Sequence, residues 1–330
     1  MNLKLFGFAL RPGRRTIREV KVAEFPDGSP ISLLIRAVSG EKVEPVVTMM
    51  GVQHGDEYNG MEIINRLMDE LRPRRLTGTV IAIPVSNPVA FNSSGRMASE
   101  SMGYENLNMN RVWPGDMKGL LTEKIAATIW ENVIIGSDSI LDFHEGGKAF
   151  LARYIHARTN DEVDKLVGSQ IKKLYQLFGQ GIPVLGGVRT RGPMIGSLTI
   201  QAGLRGIPCI GPELGGGGRI QDDLAKVGVQ GAKNIMIGLG LLREEPVGAN
   251  GEQIVAEESS WPKTKHGGIV YNTCELGQTV EEGRTLGILK DTAGRMLEEI
   301  CAPYRSVIFD VRYQPTLFPG DWTYHCGKIT

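Results

Sequence analysis

The chain has 330 residues, more than one ordinary domain holds and comfortable for two. Its 37 basic and 37 acidic side chains cancel, which excludes a polycation working on nucleic acid or anionic lipid, and 41% hydrophobic residues exclude wholesale disorder. No run approaches the ~20 apolar residues of a membrane span. The apolar patch in MNLKLFGFALRPGRR is shorter than a signal core and its arginines follow it, while Cys209, Cys274, Cys301 and Cys326 form no CxxC pair. We expect a soluble, cytoplasmic protein with neither nucleic-acid nor membrane partners.

PVVTMMGV (45–52) reads as a buried strand ending at glycine, and Glu57 to Leu71 as a helix with Met61, Ile64, Leu67, Met68 and Leu71 on one face. TVIAIP (79–84) is a strand, and Thr122 opens a helix carrying Ile125, Ile129 and Val133. SILDF (139–143) is a strand, 161–178 a helix, GIPCIG (206–211) a strand, and 220–242 a glycine-interrupted helix. This alternation predicts an α/β domain over 1–245: a mixed, mostly parallel sheet with helices on both faces. After the polar linker EEPVGANGEQ (244–253) no long helical pattern appears. Val270, Thr279, Val280 and Gly283 recur 37 positions on as Val307, Thr316, Leu317 and Gly320, which predicts a small all-β module with quasi-two-fold symmetry within 246–330.

There are five histidines, so any histidine-based metal site draws on a short list. His54 lies just past a strand in Gly51-Val-Gln-His54-Gly-Asp-Glu57, with Glu57 three residues on, a spacing that turns an imidazole and a carboxylate towards one point. Glu57 alone would serve equally as a favourable charge at a helix N-terminus. His144, ending SILDFH, emerges at the same carboxyl edge of the sheet, where open α/β folds bind ligands. Two histidines and one carboxylate leave a position for water, the pattern of catalytic zinc. Asp142 shares the strand face of His144 and suits a carboxylate orienting the imidazole; a buried polar pair is the plainer account. Glu213, placed after a strand in Ile210-Gly-Pro-Glu213-Leu-Gly-Gly-Gly-Gly218, is a candidate general base, or else an incidental acid in a flexible loop.

Taken in order, His54-Gly-Asp-Glu57, Asn87-Pro88, Arg96, Asn108-Met-Asn110-Arg111, Asp142-Phe-His144 and Glu213 resemble the succinylglutamate desuccinylase and aspartoacylase family of zinc carboxypeptidase-like amidohydrolases. The resemblance implies one Zn²⁺ per chain on His54, Glu57 and His144. It further implies Arg96 polarising the scissile carbonyl, Asn110 and Arg111 gripping a substrate carboxylate, and Glu213 as general base. Arg189, Arg191 and Arg205 are further candidates for substrate contact. The implied activity is hydrolysis of a small N-acyl amino acid, a small-molecule substrate. Chains of this size with such a tail resemble the deacetylase of ectoine breakdown, acting on Nα-acetyl-2,4-diaminobutyrate. The alternatives are a metallocarboxypeptidase acting on peptides and a non-catalytic binding module.

The tail, GGIVYNTCELGQTVEEGRTLGIL with APYRSVIFDVRYQPTLFPG, resembles a biotinyl/lipoyl-like barrel. Arg295 stands where a carrier lysine would, and arginine cannot form the amide, so a cap or homo-oligomer contact is expected in place of a swinging arm. His266, His325, Cys301 and Cys326 match no finger spacing and are expected in core or surface roles.

Overall fold

The computed structural model describes residues 4–98, 107–187, 190–249 and 253–329. A short N-terminal hairpin, β1 (Lys4–Leu5) and β2 (Phe8–Ala9), precedes the long strands β3 (Arg15–Glu24) and β4 (Pro30–Ser39). Then come β5 (Val46–Met50), α1 (Asn59–Glu70), β6 (Thr79–Ile83), α2 (Pro88–Asn92), α3 (Leu121–Asn132), β7 (Ser139–Asp142) and β8 (Phe150–His156). The sequence continues through α4 (Asp161–Phe178), β9 (Val184–Leu185), α5 (Leu198–Leu204), β10 (Cys209–Gly216) and α6 (Asp222–Gly238).

Four strands, β10, β7, β5 and β6, run parallel at the centre, and β4 with β3 and β8 extend the sheet antiparallel on either side. Alternation along the central strands decides which side chain goes where. Val47 and Met49 of β5 join Val80 and Ala82 of β6 in one core, beneath Ile64 and Leu67 of α1, Ile171 of α4 and Ile235 of α6. Val46, Met50, Ile81 and Ile83 point the other way, against Ile125, Ile129 and Trp130 of α3 and Leu198 of α5. Both faces are therefore covered, as the strand–helix alternation predicts. Burying each such aliphatic side chain stabilises the fold by about 1.5–3 kcal/mol relative to leaving it in water.

The expected helix over 220–242 is continuous from Asp222 to Gly238, and its glycines are packing sites. A Cβ on Gly228 would lie 2.4 Å from Ile63 Cδ1, and one on Gly231 2.4 Å from Phe178. Two boundaries differ from the sequence reading. Glu57 precedes α1 in a turn closed by its N–H on the His54 carbonyl, because Asn59 is pinned elsewhere: its side-chain oxygen accepts from the Gln221 N–H and its amide donates to the Leu214 carbonyl. Glu213 sits within β10, where it pairs with Tyr154, and the glycines after it continue the strand. β10 outlasts its parallel partner β7 because antiparallel β8 carries the ladder on to Gly216. A Cβ at Gly216 would meet the Phe150 carbonyl oxygen at 2.0 Å, so this segment is a tight two-strand contact rather than a flexible loop.

The tail supplies β11 (Val255–Ala256), β12 (Ser259–Ser260), β13 (Gly268–Asn272), β14 (Thr279–Val280), β15 (Thr285–Lys290), β16 (Met296–Cys301), β17 (Ser306–Arg312), β18 (Thr316–Leu317) and β19 (His325–Lys328). The 37-residue repeat is expressed as exchange: β13 of the first copy pairs with β18 of the second, and β17 of the second with β14 of the first. Val270, Val280, Leu286, Leu289, Ile300, Ile308 and Leu317 form its own apolar core. Arg295 lies at the β15–β16 turn, exposed and ion-paired to Asp291 at 2.7 Å. The sheet also runs on across residue 245. β17 pairs antiparallel with β8 (Asp310 opposite Ala152, Arg312 opposite Phe150), and β11 adds parallel to β9.

Candidate metal centre and substrate cavity

The site forms where β5 and β7 end, beside Glu213 within β10. After β5 the chain passes Gly51 into Val52, whose φ of 53° is unusual for a β-branched residue. Such a conformation costs on the order of 1–3 kcal/mol and persists where surrounding bonds over-determine it. Here the Ser86 and Asn87 N–H groups donate to the Gly51 and Val52 carbonyls at 3.0 Å each. That kink turns Gln53 and His54 back over the sheet edge.

His54, Glu57 and His144 are buried, and one candidate ligand atom from each lies within 4.8 Å of the others. Both imidazoles present Nδ1 to the same carboxylate: His54 at 2.7 Å from Glu57 Oε1, His144 at 2.8 Å from Oε2. On the far side, His54 Nε2 meets Asn108 Oδ1 at 3.0 Å, and His144 Nε2 meets Asp142 Oδ2 at 3.1 Å. Asn108 Oδ1 also accepts from the Asn110 N–H at 2.9 Å, so that atom is the acceptor and His54 must donate from Nε2. Burial holds His54 below its ordinary pKa although Glu57 opposes this. Two imidazole Nδ1 atoms converge on one buried carboxylate, with both far nitrogens held by protein oxygens, and this donor set fits a divalent metal with one histidine nitrogen from each ring and one carboxylate.

The charges agree. Burial would raise the Glu57 carboxyl, but His54 and His144 outweigh it and hold the group well below the usual range. Burial would likewise lower His144, yet Asp142 and Glu57 keep it well above an ordinary imidazole. Cation binding at Nδ1 requires that proton to leave, while Nε2–H stays on Asp142. Asp142 is itself held: Gln53 Nε2 donates to its Oδ2 at 2.6 Å, and Trp113 Nε1 donates to Gln53 Oε1 at 2.8 Å.

A cavity of about 490 Å³ opens on this cluster, and every site residue expected from the sequence lines it: His54, Glu57, Arg96, Asn110, Arg111, Asp142, His144 and Glu213. Arg191 lines it as well; Arg205 does not, and Arg189 lies outside the described residues. Arg96, half exposed, reaches in to Glu57 Oε1 at 2.9 Å. Asn110 is anchored by the Leu198 N–H at 3.0 Å and stands 3.2 Å from His144 Nε2. Burial, followed by the like charge of Arg96, disfavours the Arg111 cation, and Glu213 favours it. Burial pushes Glu213 up to about 8, with His144 opposing and Glu57 adding to the rise.

Several residues that line the cavity or support its lining were not legible in the sequence. Gln53 and Trp113 carry no motif. Ser259, Trp261 and His325 come from the tail and form one wall of the cavity. His325, expected in a core or surface role, is buried, stacked on Trp261 at 4.4 Å, and hydrogen-bonded to Asp310 and Ser259 at 2.9 Å each. Among the described residues, His54, Glu57 and His144 are the group that could hold a metal ion, so the tail's histidines and cysteines form no second cluster of that kind.

The fold and site together are an open α/β sheet with a His–Glu–His cluster at its strand ends that could hold a metal ion. Residues 44–239 match the succinylglutamate desuccinylase/aspartoacylase catalytic domain, and the chain belongs to that family, whose enzymes are amidohydrolases of the deacetylase and desuccinylase type. The chain is 27% identical over 255 residues to the N-alpha-acetyl-L-2,4-diaminobutyric acid deacetylase of Halomonas elongata, covering 75% of this chain and 71% of that one. Its fold matches a succinylglutamate desuccinylase from Silicibacter (TM-score 0.82, 21% identity, 96% and 95% of the two chains). It also matches the product-bound ectoine utilization protein EutE (DoeB) from Ruegeria pomeroyi (TM-score 0.84, 21% identity, 97% of each chain). No helix of the described residues is long and apolar enough to cross a membrane.

Proposed function

We propose that this chain is a zinc-dependent hydrolase that cleaves the amide bond of a small N-acyl amino acid. The observation that carries the reading is the buried cluster in which His54 Nδ1 and His144 Nδ1 face the two oxygens of the Glu57 carboxylate, at the floor of a cavity that Glu213, Arg96 and Arg111 share. When bound, one Zn²⁺ per chain supplies Lewis-acid polarisation and acidifies water. The chain's own residues do the rest. Glu213, poised at about 8, can take a proton from water and return it to the leaving amine. Arg96 brings fixed positive charge to the point where a carbonyl becomes an oxyanion. Arg111 offers a planar fork to a substrate carboxylate, and Asn110, locked by Leu198, holds one edge of that subsite.

Nα-acetyl-L-2,4-diaminobutyrate, the substrate in the name of the Halomonas relative, is the first compound to assay, with N-succinylglutamate and N-acetylaspartate beside it. A reducing compartment such as the cytoplasm belongs to the same reading, supported by four unpaired cysteines. Metal analysis together with turnover of N-acyl amino acids tests the proposal. About one zinc per chain and chelator-sensitive release of amine are expected; full turnover in metal-stripped protein would overturn it.

A further inference from the structure

A second cavity, of about 190 Å³, lies at the opposite edge of the sheet from the metal centre. β5, β7 and β10 run parallel, so their first residues share that edge, and the cavity opens between these strand starts, α4 and the end of α6. Val47 of β5, Leu174 of α4, and Leu239 and Leu241 just past α6 give it apolar walls continuous with the core beneath that face. Ser139, the first residue of β7, pairs with Val47 and stands two positions before Leu141, so its side chain turns to the same face. Its hydroxyl lines the cavity, is buried and has no hydrogen-bond partner among the described residues, a state that native interiors rarely leave.

Two charged groups stand at the mouth. Asp138 and Lys173 both line the cavity and both are exposed. Asp138 Oδ2 accepts from the Val46 N–H at 2.7 Å, which fixes the carboxylate and leaves Oδ1 for a ligand. Lys173 makes no ion pair with a described residue. One fixed anion, one cation and apolar walls complement a molecule with the same three parts. A hydrocarbon would leave the Ser139 hydroxyl and both charges unused, and a carboxylic acid without an ammonium group would meet Asp138 as a like charge. Cavities of about 150 Å³ lined by aliphatic side chains hold benzene, so the space here suits a branched or aromatic side chain with its charged end at the mouth.

We propose that this cavity binds a free apolar α-amino acid. The ammonium group sits at Asp138, the carboxylate takes Lys173 and the Ser139 hydroxyl, and the side chain enters between Val47, Leu174, Leu239 and Leu241. None of these residues lines the cavity over the metal centre, so such a ligand does not compete with substrate for contacts.

Calorimetry on the full chain compares L-leucine and L-phenylalanine with glycine, isocaproate and isoamylamine, which lack the side chain, the ammonium group and the carboxylate in turn. Leucine or phenylalanine is expected to bind with millimolar affinity or better, at least about tenfold tighter than each truncated analogue. Asp138→Asn keeps an oxygen for the Val46 N–H, and Lys173→Gln changes an exposed side chain; each should weaken binding at least about fivefold. Ser139→Ala should weaken it about three- to tenfold while melting no lower than the parent, because the hydroxyl it removes is unpaired in the free chain. No binding at millimolar concentration, or glycine or isocaproate binding as tightly as leucine, would overturn the site. Leucine affinity unchanged in both Asp138→Asn and Lys173→Gln would put the amino acid in the metal-centre cavity and overturn it equally. A Ser139→Ala protein that melts well below the parent and keeps its leucine affinity would overturn the assignment of that hydroxyl to the ligand.

Discussion

Replacing Asp142 by asparagine and by alanine separates the two ways this carboxylate serves His144. In Asp142→Asn an amide oxygen can stand where Oδ2 stands, still accepting from Gln53 Nε2 (2.6 Å) and from His144 Nε2 (3.1 Å). Shape is kept and only the charge is lost. A charge-assisted hydrogen bond exceeds a neutral one by about 1–1.5 kcal/mol, so zinc affinity should fall by about tenfold. Asp142→Ala removes the acceptor altogether. Gln53 and His144 are both buried, and each orphaned donor costs about 1–3 kcal/mol of folding stability. The imidazole also loses its orientation, and zinc affinity should drop by about 100-fold, the upper end for groups that support a metal ligand. Competition with a chromophoric chelator gives the affinities, and urea unfolding of metal-stripped protein gives the stability difference. Zinc binding by Asp142→Ala as tight as in the parent, or a larger loss in the asparagine variant than in the alanine one, would refute the assignment of Asp142 to His144.

Three further outcomes are expected. Glu213→Gln should lower kcat by about 10²–10⁴-fold while zinc content stays at the parent level, read by steady-state kinetics beside metal analysis; undiminished kcat would remove Glu213 as general base. Gly196→Ala places a Cβ 2.0 Å from the Arg111 carbonyl oxygen, pushing the turn that carries Asn110 and Arg111. It should cut kcat/KM by about 10–100-fold with zinc stoichiometry intact, and an unchanged KM and kcat would show that this turn does not position substrate. Burial pushes Glu145 from an ordinary 4.5 up to about 8, so the folded chain keeps a proton that the unfolded chain has released. Metal-stripped protein should therefore lose stability as pH rises from about 4.5 to about 8, and Glu145→Gln should flatten that slope in melting curves; an unaltered slope would show that Glu145 ionises normally.

The sequence on its own determined the features that local pattern can express. Alternating strand and helix periods placed β5, β6, β7 and α4 close to where they lie, because period and length depend only on neighbours in the chain. His54, Glu57, His144 and Asp142 were legible because strand ends and three-residue spacings put functional groups at a known edge of an α/β sheet. The repeat in the tail was legible too, since it is written as recurrent residues. Tertiary structure alone decided the rest. Nothing local says that β17 pairs with β8, which brings Asp310 opposite Ala152, or that β19 and β12 carry His325 and Ser259 into a cavity floored by His54 and His144. Those pairings are made by hydrogen bonds between residues far apart in sequence, and hydrophobic period does not encode the choice of partner edge. The same holds for the end of β10, where pairing with β8 makes a strand of five residues, 212–216, beyond the expected strand end, and for Val52, whose left-handed backbone is imposed by Ser86 and Asn87. Composition had suggested a neutral molecule with excess glycine. Folding gathers Arg96, Arg111, Arg158 and Arg191 around one cavity, a local field that net charge conceals because a sum has no positions.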